Sequence, residues 1–335
     1  MAYKNLVGAS CADRASVFRH FRDFLCKLNG IADYSVSGIG WTVHDASYAV
    51  SADAPSVGDW VVVHSHGEGG NDDLYFKITF ATSYITVFGF LYWNATTHIG
   101  VQQFQSANNW SCFGAATLWV YGDLDSIASI TKEGIYFYGA LFGKTDTLYD
   151  DTPVTSASSI PASASTVVSV VPPADAGWIT GRKLFIRDTV TAGLATILDV
   201  GADYVTLNTG ATSYLAGAKL SADLGYFCCT GGTTDLPTNG NGQPIGLIGH
   251  SGLKPTTYDA VGNSMGAEYK WIDPLNSERM FARIQVFNAT YGWGGAIKNI
   301  LYNGKYLTTT DPPTVETFAC GASYRRFGFG AFLEV

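Results

Sequence analysis

Leu74, Phe76, Ile78 and Phe80 alternate with Tyr75, Lys77 and Thr79. A two-residue period puts the first set on one face of a strand and predicts that this face is buried. Ala81-Thr82-Ser83 is a small polar break of hairpin-loop length. A second strand is predicted from Tyr84 to Trp93, with Ile85, Val87 and Leu91 on one face and Phe88, Phe90 and Tyr92 on the other. Apolar on both faces, it has no solvent side. It belongs at the centre of a two-layer β fold or in the wall of an interface.

The spacing predicts one helix, from Ser10 to Asn29. Val17, Phe21, Phe24, Leu25 and Leu28 form its apolar stripe, and Arg14, Arg19, Arg22 and Lys27 decorate much of the rest. Ser10 is the expected N-cap, Asp13 adds a charge favoured by the helix dipole, and Asn29-Gly30 is the stop. Gly38 to Asp59 reads as loop, and Trp60 to His64 as a short strand. Further strands are predicted at Trp110 to Tyr121, Ser126 to Thr131 and Gly134 to Phe142, joined by turns such as Gly122-Asp123-Leu124-Asp125.

Composition then shifts. Asp151 to Ala176 is rich in Ser, Thr, Ala and Pro without an aromatic residue, and its first part reads as a linker. Strands at Lys183 to Asp188, Leu194 to Val200, Asp203 to Asn208 and Ala218 to Leu220 suit a small barrel. Aromatic residues return at Tyr226, glycine-rich loops occupy Gly225 to Ser264, and strands are expected at Arg279 to Phe287, Ile297 to Tyr306, Thr317 to Tyr324 and Phe327 to Val335. The expected fold class is mainly β: a β-sandwich-like domain with one N-terminal helix and a small inserted β-barrel. Its parts would be residues 1–150 and 225–335 for the main domain and 151–224 for the linker and barrel.

Charged residues make up only 14% of the 335, against about 25% in an ordinary soluble domain, and the mean hydropathy is +0.10. No apolar run approaches the ~20 residues of a membrane-spanning helix. The low charge therefore points to a surface covered by other chains, most simply a homo-oligomer. The net charge of −8 without a basic block argues against nucleic acid as a partner. MAYKNLVGAS lacks the charged-then-apolar order of a signal peptide, so secretion is not expected. Cys11, Cys26, Cys112, Cys228, Cys229 and Cys320 form no C-x-x-C, and read as buried thiols.

Few motifs point to chemistry. His64 and His66, with Glu68, would be able to ligate a metal if both rings fell on one side of an extended segment. The remaining ligands are not identifiable, so a solvated hairpin loop is the reading adopted. Gly249-His250-Ser251-Gly252 lacks the spacing of a nucleophile elbow, and Asn239-Gly240-Asn241-Gly242 lacks the Lys-Ser/Thr of a phosphate loop. Asp72-Asp73 and Asp150-Asp151 read as solvated loop carboxylates. Asn94, Asn109 and Asn288 match the glycosylation acceptor pattern, which means little without secretion. Tyr92-Trp93-Asn94 and Tyr291-Gly292-Trp293 would be able to stack on a host glycan, though core and interface packing is the simpler reading. No catalytic, cofactor-binding or metal residue is assigned, and the chain reads as non-enzymatic.

Leu74-Tyr75-Phe76-Lys77-Ile78, Phe90-Leu91-Tyr92-Trp93-Asn94, Val120-Tyr121-Gly122-Asp123-Leu124-Asp125 and Tyr136-Phe137-Tyr138-Gly139 resemble stretches of virion structural proteins of tailed bacteriophages. Lys183 to Leu220 resembles small β-barrel insertions of phage tail and neck proteins. The resemblance implies a structural subunit of the neck, collar, tail tip or baseplate, located in the virion after assembly in the bacterial cytoplasm. Its partners would be copies of itself and other virion proteins. A receptor-binding module for host surface glycan is the alternative.

Overall fold

The computed structural model describes residues 3–52, 55–70, 73–101, 108–134, 136–146, 154–171, 178–221, 226–232, 246–248, 282–288, 292–302, 314–317, 323–327 and 330–334. The chain opens with strand β1 (Lys4–Cys11) and helix α1 (Arg14–Cys26). The helix starts later than Ser10 because β1 pairs antiparallel with Ala116–Gly122, which takes Ser10 into a sheet. The N-cap is Asp13. Its carboxylate accepts the Ser16 N–H at 2.7 Å while Ser16 Oγ accepts the Asp13 N–H at 3.1 Å, a capping box. The helix stops at Lys27, which adopts the left-handed conformation with φ 54°, two residues before Asn29.

Asp23 explains that early stop. Its carbonyl accepts the Leu28 N–H at 2.9 Å and its Oδ2 accepts the Ile31 N–H at 3.0 Å. Gly30 lies so near that a β-carbon there would meet Oδ2 at 2.1 Å. Arg22 does not decorate a solvent face, as its place on the helix suggested; it is 1% exposed. Its Nε donates to Asp23 Oδ1 at 2.7 Å and its Nη1 to Tyr48 Oη at 2.7 Å, so the guanidinium is buried with partners.

A five-stranded antiparallel sheet follows: β2 (Thr42–Ala46), β3 (Trp60–Ser65), β4 (Leu74–Phe80), β5 (Tyr84–Phe90) and, after the hairpin of β6 (Tyr92–Asn94) and β7 (Ile99–Val101), β8 (Asn108–Ser111). The alternation in β4 holds. Leu74, Phe76, Ile78 and Phe80 face the main core with Val61, Val63, Ile85 and Val87. β5 does not continue to Trp93. The chain leaves the sheet at Leu91, whose N–H donates to the Val101 carbonyl at 2.9 Å. The β6–β7 hairpin then covers the outer face, where Trp93 packs on Phe90 at 4.9 Å between ring centres and on Trp60 at 5.7 Å. That apolar outer face is satisfied within the chain by a small cluster of Val62, Tyr75, Phe90 and Trp93.

The opposing layer is built on β9 (Ala116–Gly122), β10 (Ser126–Glu133) and β11 (Tyr136–Asp146), with β1 beside β9. Between the layers Phe21 of α1 meets Trp110 at 5.3 Å and Phe142 at 6.0 Å, and Phe76 meets Phe142 at 4.8 Å. Helix and both sheets therefore share one core, the sandwich-like arrangement expected from the alternation.

The barrel interrupts this layer. It closes in the order β12 (Val154–Ser156), β13 (Thr166–Val171), β16 (Tyr204–Asn208), β15 (Ala192–Val200), β14 (Lys183–Arg187) and β17 (Lys219–Ser221), around a core of its own. The Ser-rich stretch expected to be a linker thus supplies barrel structure. Val154 and Ile160 are buried, Ile160 bridges to Tyr214, and the backbone of the buried Ser156 hydrogen-bonds to those of Ala218 and Gly217, so a largely polar segment is anchored to the barrel. After the barrel, β18 (Tyr226–Gly232) pairs with β11. The large sheet is completed by β19 (Gly246–Ile248), β20 (Ala282–Asn288), β21 (Gly292–Tyr302), β22 (Thr314–Thr317), β23 (Ser323–Phe327) and β24 (Gly330–Glu334). The strand predicted over Thr317 to Tyr324 is instead a hairpin, in which Thr317 faces Ser323. The strand predicted over Phe327 to Val335 is likewise split between β23 and β24, with Phe327 facing Gly330. The glycine-rich motifs at Asn239 to Gly242 and Gly249 to Gly252 lie outside the described residues.

Cys11, Cys26 and Cys112 are free and buried. Burial pushes the Cys11 thiol up to about 11 and those of Cys26 and Cys112 further. Because the thiolate is the reactive form, these three should not react in the folded protein at neutral pH. A thiol-reagent titration is expected to modify at most three of the six cysteines natively and all of them in denaturant. A fourth fast-reacting thiol would contradict the burial.

Candidate functional site

The site with the most chemistry lies where β3 turns back into β4. Their register pairs Ser65 with Leu74 and His64 with Tyr75. Alternation then sends Ser65 and Leu74 to the main core, and His64 and Tyr75 to the outer face. His66 and Asp73, each one step beyond the Ser65–Leu74 pair, join them. His64 Nε2 lies 2.9 Å and His66 Nδ1 3.7 Å from Asp73 Oδ1, and the two imidazole rings are 4.4 Å apart, edge to face. The donor atoms of all three residues fall within 4.8 Å of one another.

The surroundings hold this arrangement. Tyr75 stacks on His64 at 4.5 Å and 24°, and the His44 ring lies 5.1 Å from Tyr75 and 5.7 Å from His64. Val43 pairs with the inward-facing Val63, so alternation sends His44 to the outer face, next to the register shift between Val43 and Asp45. Burial lowers the His44 pKa below the ordinary imidazole value. Burial alone would raise the Asp73 pKa, but the hydrogen bond from His64 and the charge of Arg187 outweigh it and hold the carboxyl below its usual range. Arg187, at the end of β14 in the barrel, donates to Asp73 Oδ2 and lays its guanidinium 4.9 Å over the Tyr92 ring. The barrel therefore touches the sheet at this cluster. Exposure grades across it: the His64 side chain is 9% exposed, Asp73 32% and His66 64%.

Two imidazoles and a carboxylate form a donor set suited to borderline divalent cations, with an open approach on the His66 side. The third member differs from the one the spacing suggested. Glu68 turns away: its N–H donates to Asp125 Oδ1 at 3.0 Å and its Oε1 accepts the Leu124 N–H at 3.4 Å, so it ties the loop to the opposite layer. Asp73, read as a solvated loop carboxylate, takes its place. Pairing β3 with β4 in the observed register would have put His64, His66, Asp73 and Tyr75 on one face from sequence alone. Nothing local announces Arg187, 114 residues from its carboxylate partner.

The other candidates separate. Trp93, considered for sugar stacking, is 3% exposed, and its indole N–H donates to Asp45 Oδ2 at 2.7 Å. Its ring is packing, as are its neighbours Phe90 and Trp60. The same carboxylate oxygen is 2.8 Å from His98 Nδ1, so Asp45 pins the β6–β7 hairpin to the sheet edge. Asn94 Oδ1 accepts the Thr96 and Thr97 N–H groups at 2.9 and 3.1 Å and serves the turn. Tyr291, the side chain of Trp293, Asp72, Asp150 and Asp151 lie outside the described residues. Among the described residues no helix is long and apolar enough to cross a membrane. No known family model matches this chain, and no curated protein matches it either.

Proposed function

We propose that the chain is a non-enzymatic structural subunit of a symmetric multimeric particle, of the kind that builds the tail, baseplate or neck of a tailed phage. One observation carries this reading. Charged residues are scarce, at 14%, and large apolar side chains stand in solvent on the sheets' connections and the barrel alike: Ile99 is 66% exposed, Phe113 60%, Val190 70% and Leu215 53%. Val190 and Leu215 line the same concavity of about 380 Å³ on the barrel. A subunit contact that covers them would be favoured by about 25 cal/mol per Å² of apolar surface buried. The resemblance to virion structural proteins adds the phage context, with copies of the chain and other virion proteins as partners.

Light scattering across a concentration series tests the proposal. A discrete oligomer is expected, and its mass should fall in a Phe113→Asp/Val190→Asp variant that keeps the circular dichroism of the parent. A mass equal to one chain at every concentration would remove homo-oligomerisation from the proposal.

A further inference from the structure

The geometry points to a metal site in which His64 Nε2, His66 Nδ1 and Asp73 Oδ1 bind one zinc-class divalent cation at the seam between the five-stranded sheet and the barrel. Zinc bonds imidazole nitrogen and carboxylate oxygen at about 2.0–2.2 Å, so the ligand atoms of a tetrahedral site stand about 3.3 Å apart. The two separations around Asp73 Oδ1, 2.9 and 3.7 Å, bracket that value. Small ring rotations would admit the ion, and His66, with 64% of its side chain exposed, has room to make them. Solvent on that side supplies the fourth position.

Two neighbours orient the ligands. Arg187 occupies Asp73 Oδ2, which leaves Oδ1 as the single coordinating oxygen and fixes the plane of the carboxylate. Tyr75 stacks on His64 and sets its ring. A His64–Asp73 hydrogen bond serving only the fold would account for one imidazole. The second imidazole, His66, lies 3.7 Å from the same oxygen and faces solvent. The donor set also selects the ion. Two nitrogens and one oxygen suit zinc, cobalt or nickel, whereas magnesium and calcium require oxygen shells.

The expected consequence is structural. An ion bound to Asp73 closes the β3–β4 loop at its base and, through the Arg187–Asp73 pair, steadies the barrel against the sheet. This inference is independent of the assembly proposal, since a monomer or an oligomer could hold the ion equally.

The experiment titrates chelator-treated, dialysed full-length protein with zinc chloride by calorimetry, and with cobalt chloride by visible absorption. The parent protein should bind one zinc per chain, show the intense visible bands of a tetrahedral cobalt site, and melt at a higher temperature with zinc than without. Magnesium should do none of these. His66→Ala, at an exposed position, and Asp73→Asn, which keeps the side-chain shape, should each abolish the cobalt bands and the zinc-dependent rise in melting temperature. Absence of zinc uptake by the parent would overturn the proposal. So would zinc uptake and cobalt bands that persist in His66→Ala, because the ion would then reside elsewhere.

Discussion

Asp23→Ala is expected to cost about 3–5 kcal/mol of stability, the range for removing one partner of a buried ion pair. Asp23 and Arg22 are 0% and 1% exposed, and their side chains meet through Arg22 Nε at 2.7 Å and Nη2 at 2.5 Å. Removing the carboxylate takes the ion-pair partner from a guanidinium that lies in the core beside Tyr48 Oη. It also orphans the Ile31 N–H, which Asp23 Oδ2 now accepts at 3.0 Å. The loss comes from the uncompensated charge rather than from the strength of the pair itself. An Arg22→Met/Asp23→Ala double variant should therefore recover a large part of it. Urea unfolding followed by tryptophan fluorescence measures both. A cost below about 1 kcal/mol for Asp23→Ala, the level of an exposed pair, would show that water reaches the site.

Trp41→Ala is expected to destabilise the protein by about 3–5 kcal/mol, as aromatic truncations in packed cores do. Trp41 is 1% exposed and sits where the two layers meet, 5.7 Å from Phe76 of the five-stranded sheet and 6.0 Å from Phe142 of the large one. Its indole N–H donates to the Asp123 carbonyl at 2.9 Å, across 82 residues. Trp41→Phe separates the two contributions. It keeps much of the packing and removes the hydrogen bond to the Asp123 carbonyl, so about 1–3 kcal/mol should be lost through that bond and the smaller ring. Equal losses in the two variants would mean that packing at Trp41 contributes little, against the close aromatic contacts seen.

Trp41 also shows how far the sequence reaches. It falls in a stretch between Gly38 and Asp59 that reads as loop. No period runs through it, so no local pattern reveals that its ring closes the sandwich. Arg22 is the converse case. Its position on the amphipathic helix indicated solvent, because helix periodicity describes one buried stripe. It does not describe what happens when Tyr48, 26 residues on, comes round to cover the other side. The metal-like cluster lies between these extremes. His64 and His66 were legible as a pair through their two-residue spacing. Their third partner depended on strand register, which chose Asp73 over the nearer-looking Glu68. Arg187 depended on where an entire inserted barrel docks.

By itself the sequence determined the mainly β class, the inward face of β4, the existence of the N-terminal helix and the presence of an inserted β-rich segment. Each is a property of local periodicity and composition, and each follows from the two-residue alternation of strands or the stripe of a helix. Tertiary structure alone decided the rest. It ended β5 at Phe90 and folded the next hairpin back so closely that a β-carbon on Gly100 would lie 2.1 Å from the Phe90 ring. It drew Val154 and Ile160 out of an apparent linker into a barrel core. It also set the register that joins Asp73 to His64 and His66, and docked Arg187 of the barrel on that carboxylate. These outcomes are contacts that pairing and docking create, from nine residues apart for His64 and Asp73 to 114 for Asp73 and Arg187. Their free energy comes from burial and charge pairing that no single stretch contains.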